Sequence, residues 1–122
     1  MVVDREAEAR KAFVRAMYDF LVWLWMEEDA AKKSDAADRA RELEKIAQRV
    51  ARRLMVPDGA PAEVLSCATY ADAREQTIRH LQAMVRVALR DAMKADVIAA
   101  IELEWLRENM QRAFRDRSRS TI

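Results

Sequence analysis

Residues 57–61 read Pro57-Asp58-Gly59-Ala60-Pro61 and hold every glycine and proline of the 122-residue chain. Proline disfavours the α conformation of the residue before it, so Val56 marks the end of a helix and the start of a loop predicted over 57–69. Sheet folds need turn residues at short, regular intervals, and this chain has none outside that one cluster. Hydrophobic residues make up 52% and charged residues 35%, with a formal net charge of +1, which excludes a disordered chain. The fold class is therefore all-α: a long-helix hairpin or an antiparallel bundle of three or four helices, expected to oligomerise.

Upstream of the cluster, residues 4–33 contain no helix breaker. Asp4 is placed to cap that helix, Glu6 and Glu8 favour its positive end, and Lys32 and Lys33 suit its negative end. Phe13, Met17, Phe20, Leu21 and Leu24 fall within an arc of about 100° and form its inner face. Ser34 and Asp35 read as a restart, giving a second helix over 35–56. Its apolar positions, Ala36, Ala40, Leu43, Ala47, Val50 and Leu54, step by four and three residues in a heptad-like seam.

Downstream, residues 70–117 again lack an internal breaker. Counted from Thr77, the positions Leu81, Met84, Val85, Ala88, Ala92, Ala95, Ala99, Leu103, Leu106, Met110 and Ala113 stay within an arc of about 100°. A hairpin turn is expected to reset that phase. The preferred reading is thus one helix about 70 Å long, and the alternative is two helices broken near 93–96. All of it is read as one domain spanning residues 1–122.

Two helices also carry apolar residues where a wet face belongs. Val22, Trp23 and Met26 lie across from Met17, and Val87, Ile98, Ile101 and Trp105 form a second stripe on the last segment. A helix that is apolar nearly all round is central in its fold or covered by another chain. Tryptophan is enriched at interface hot spots. Val22, Trp23, Met26, Ile98, Ile101 and Trp105 are therefore the predicted interface of a homo-oligomer, most simply a dimer.

Chemical motifs are sparse. One histidine, His80, and one cysteine, Cys67, do not supply a metal site, and a single glycine does not make a phosphate loop. No cofactor is expected and no catalytic residue is assigned. Ser66 with His80 and a carboxylate is a combination most chains offer, and Cys67 beside Val64 and Leu65 reads as a small packed hydrophobe. Glu27, Glu28 and Asp29, and the pair Glu104 and Glu108, read as solvated faces. The residues 1–10 are charged, and the longest apolar run, Phe20–Met26, is far short of the roughly 20 residues a membrane span needs. A cytoplasmic location without membrane contact is expected.

Arginine outnumbers lysine 17 to 5. Lys45, Arg49 and Arg52 share a stripe of the second helix with Arg53 beside it, and Arg79, Arg86 and Arg90 make a stripe on the third. Should those helices pack antiparallel, the two stripes would join into one basic surface suited to phosphates. Nucleic-acid binding is the alternative function on that ground. A third follows from Arg74, five intervening residues and His80, which resembles the Arg-x(4–6)-His signature of the HEPN family. That resemblance implies a dimeric helical ribonuclease in which histidine handles the proton and arginine the scissile phosphate. Glu75 stands where the family commonly has a polar residue such as asparagine. The leading expectation is a non-enzymatic interaction protein, an adaptor, regulator or inhibitor, acting as a homo-oligomer.

Overall fold

A computed structural model describes residues 4–115 and confirms the all-α class. The helices are α1 (Arg5–Lys33), α2 (Ala37–Met55), a one-turn α3 (Ala62–Leu65), α4 (Tyr70–Ala95) and α5 (Val97–Asn109), closed by a 3₁₀ turn over Met110–Phe114. The expected helix end at residue 117 lies outside the described residues.

The ends of α1 follow from local chemistry. The Asp4 carboxylate accepts from the Ala7 amide at 3.1 Å, satisfying one of the donors a helix start leaves free. The other end differs from the sequence expectation, because Ser34 and Asp35 close α1 rather than open α2. Ser34 donates its amide to the Ala30 carbonyl at 3.1 Å and its hydroxyl to the same carbonyl at 3.0 Å. Asp35 then takes φ 60°, the left-handed position that usually ends a helix. α2 begins at Ala37 behind Ala36, which offers no side-chain cap.

The loop behaves in a similar way. The left-handed residue is Asp58, at φ 58°, and Gly59 is not. Gly59 is required for a different reason: a Cβ there would stand 2.6 Å from the Arg53 carbonyl oxygen. Arg10 of α1 bonds both Glu6 and Asp58, tying the first turns of α1 to the end of α2. Donating hydrogen bonds to Asp58 and, next in weight, to Glu6 raises the Arg10 pKa above its ordinary value.

The preferred single helix over 70–117 is corrected to two. Asp96 is extended, at φ −152° and ψ 99°. Its amide donates to the Ala92 carbonyl at 2.7 Å and closes α4, while its carboxylate accepts from the Ala99 amide at 3.1 Å and opens α5. The chain reverses there: Arg74, in the first turns of α4, donates to the Phe114 carbonyl at 3.3 Å. A link of one residue adds no register for a phase count to detect, and both arms of the hairpin turn their apolar stripes to the same core.

That core is a single cluster with α1 at its centre. α1 packs against α2, α3, α4 and the 3₁₀ turn, and α5 packs against α2 and α4. Phe20, Leu24, Leu43, Ile46, Val50, Val85, Leu106 and Met110 are fully enclosed. Among the described residues no buried side-chain polar atom lacks a hydrogen-bond partner.

Gly59→Ala is expected to lower the unfolding free energy by about 1–3 kcal/mol, because the Arg53 carbonyl must move. Asp35→Gly is expected to raise it by up to about 1 kcal/mol by relieving the left-handed position. Urea unfolding followed by circular dichroism measures both.

Candidate interaction surfaces

A file of four aromatic rings runs through the molecule. Phe114 stacks on Phe20 at 5.7 Å, Phe20 on Trp23 at 6.1 Å, and Trp23 on Trp105 at 6.2 Å with planes 6° apart. A guanidinium closes each end, Arg39 lying 4.1 Å above Trp105 and Arg74 lying 5.9 Å from Phe114. Each arginine is fixed in turn by an acid. Arg39 pairs with Glu102 at 3.2 Å, and Arg74 pairs at 3.3 Å with Asp19, which also takes Arg15 at 3.3 Å.

Two of the six predicted interface residues are consumed here. Trp23 is only 6% exposed, and Trp105 is half-buried between Trp23 and Arg39. Trp23 is enclosed because α1 is wrapped on several sides and its inner arc is wider than the stripe the sequence suggested, while Trp105 keeps part of its ring open to solvent. Trp23→Ala is expected to cost about 3–5 kcal/mol of stability, against about 0.5 kcal/mol or less for the exposed Trp25→Ala in dilute, unassociated protein. Chemical unfolding of both variants compares them directly.

The other four lie outward. Val22 is half-buried, whereas Met26, Ile98 and Ile101 are more than half exposed. Val22, Met26 and Ile101 belong to two larger apolar surfaces, and Ile98 stands beside the second. On α1, Val14, Tyr18, Val22, Trp25 and Met26 fall on one outward arc of about 120°. Val14, Tyr18 and Trp25 were legible on the same helical wheel as the residue of apolar positions left over from the inner face. On the hairpin, Leu89, Met93, Val97, Ala100 and Ile101 line an open groove of about 460 Å³ with Glu104 at its rim. Met93 is 68% and Val97 71% exposed. Arg107 hydrogen-bonds Glu104 and holds its carboxyl below the usual carboxylate range, so the groove is edged by an ion pair.

The basic stripes do not merge. α2 packs on α1 and α5, and the groove of about 260 Å³ beside Lys45 and Arg49 is lined across from them by Ala88, Asp91 and Ala92 of α4. The acids Glu42, Asp91 and Asp96 share that groove. Lys45 pairs with Glu42 at 3.2 Å and Arg79 with Glu75 at 3.6 Å. Arg49, Arg52, Arg53, Arg86 and Arg90 are exposed and make no ion pair among the described residues.

The Arg74 and His80 pair is not brought together. Six residues along α4 separate the two side chains by about 120° around the helix. Arg74 is turned to Asp19 and the Phe114 carbonyl, while His80 Nε2 lies 3.8 Å from Glu63. Ser66 and Cys67 both donate to the Glu63 carbonyl, at 3.1 and 3.3 Å. Among the described residues no three His, Cys, Asp or Glu side chains gather as a metal site, and no helix is long and apolar enough to cross a membrane. No protein-family model, curated protein or solved structure matches the chain.

Proposed function

We propose that the protein is a non-enzymatic helical interaction protein, an adaptor, regulator or inhibitor, that self-associates through apolar helix faces left open by its own fold. The observation that carries the reading is the pair of outward surfaces on α1 and on the α4–α5 hairpin, where Met26, Met93, Val97, Ile98 and Ile101 all exceed half exposure. Burying the exposed part of a large apolar side chain is worth about 1 kcal/mol. Roughly ten such residues then offset an association cost of the order of 4–15 kcal/mol.

Light scattering at high micromolar concentration tests it. The wild type is expected to run as an oligomer, and at least one of Met26→Glu on α1 and Ile101→Glu on α5 is expected to shift the mass toward the monomer with helix content unchanged. A monomeric wild type, or wild-type mass in both variants, contradicts the reading.

A second reading is favoured by the arginines without acidic partners. Arg49, Arg52 and Arg53 of α2 and Arg86 and Arg90 of α4 present delocalised cations to solvent, which suits phosphate contact. Fluorescence anisotropy with a labelled single strand and a labelled duplex would then show binding that weakens steeply with salt. Arg49→Glu with Arg86→Glu would abolish it. No binding at low salt, or binding indifferent to those substitutions, removes this reading.

A further inference from the structure

The outward face of α1 carries a charge pattern as well as an apolar one. Along the helix axis Lys11 precedes the apolar strip of Val14, Tyr18, Val22, Trp25 and Met26, and Asp29 follows it. Lys11, Arg15 and Asp29 have side chains 70%, 65% and 63% exposed. Within the chain, Lys11 and Asp29 meet only exposed neighbours on their own helix, Glu8 at 3.2 Å and Lys33 at 2.9 Å. Pairs of that kind contribute little, and both groups stay open to a new partner.

The spacing is symmetrical about residue 20. Residues 11 and 29 are equidistant from it, as are 14 and 26, and 18 and 22. On the helical wheel Lys11 and Asp29 share one direction, because eighteen residues are five whole turns of an α-helix. A second copy of α1 laid antiparallel across this face, with a two-fold axis level with Phe20, sets Lys11 level with Asp29 of the second copy. Val14 then lies level with Met26, and Tyr18 with Val22. The twofold repeats every contact, so cation meets anion at both ends of the same apolar strip. A parallel arrangement puts lysine against lysine and aspartate against aspartate.

From this we infer that the α1 outer face is a self-recognition surface whose occupant is a second copy of this chain, antiparallel and in the register that pairs Lys11 with Asp29. The inference rests on the self-association proposed above and narrows it to one helix, one direction and one register. α1 is about 43 Å long, ample for a strip of this kind. The charged ends set direction and register, and the apolar strip supplies the affinity.

Charge reversal separates this from its alternatives, with sedimentation equilibrium as the readout and circular dichroism as the check on folding. Lys11→Glu alone and Asp29→Lys alone are each expected to raise the dimer dissociation constant about tenfold or more, since each sets like charges together at both ends. The double variant Lys11→Glu with Asp29→Lys in one chain is expected to recover wild-type affinity, as is an equimolar mixture of the two single variants. Tyr18→Glu is expected to give a monomer. A dimer that resists Tyr18→Glu, or single reversals without effect, overturns the α1 surface while leaving self-association through the hairpin groove standing. Weakening by both single reversals without recovery in the double variant overturns the antiparallel register. A monomeric wild type overturns this inference and the self-association together.

Discussion

The contact of Trp23 with Trp105 ties the two halves of the chain together at the edge of the core. The two indoles lie nearly parallel, and they join α1 to the last arm of a hairpin more than eighty residues away in the chain. Phe20 and Phe114 extend the stack, so one file of rings links α1, α5 and the 3₁₀ turn. Arg39 brings in α2 at one end and Arg74 brings in α4 at the other. Planar rings need specific offsets and angles to pack well, so this file also fixes where the hairpin sits on α1. The acids Asp19 and Glu102 neutralise the guanidiniums as they are drawn in from water.

The arrangement determines what is left for function. Arg74 belongs to the packing of the fold, and His80 faces a different neighbour. Trp23 and Trp105, the residue type most readily imagined at a protein interface, face each other instead. Wrapping α2, α4 and the 3₁₀ turn around α1 encloses most of its circumference and leaves one outward arc. Closing α4 back along α5 leaves the hairpin's other side open, where Met93, Val97 and Ile101 stand in water. Apolar surface on a small helical protein is costly to leave wet, and the proposed self-association rests on two such surfaces on separate elements.

The sequence made some of this legible. Asp4 as a cap, Val56 as a stop, and the seam of Ala40, Leu43, Ala47 and Val50 all rest on short-range chemistry that does not depend on the rest of the chain. Two junctions were less clear. Ser34 bonds backward to the carbonyl of Ala30, an option a serine shares with forward capping, and only the path of the chain decides between them. Asp96 turns the chain by itself, so no glycine, proline or loop announces it; an aspartate just after Lys94 and just before Val97-Ile98 was the available sign. The tryptophans show the limit of a helical wheel. It marks which positions are apolar, but the width of the buried arc depends on how many neighbours a helix acquires. Trp23 and Met26 sit only one turn apart, yet one is enclosed and the other is open.

The central claim is that α1 spends its inner arc on the fold and its outer arc on a second copy. Hydroxyl-radical footprinting read by mass spectrometry, on dilute and concentrated protein, tests it most directly because the same helix supplies both reporters. The account predicts that Tyr18, Trp25 and Met26 become protected as concentration rises, while Trp23 is protected throughout and Met93 stays reactive. Equal oxidation of Tyr18, Trp25 and Met26 at both concentrations would contradict it.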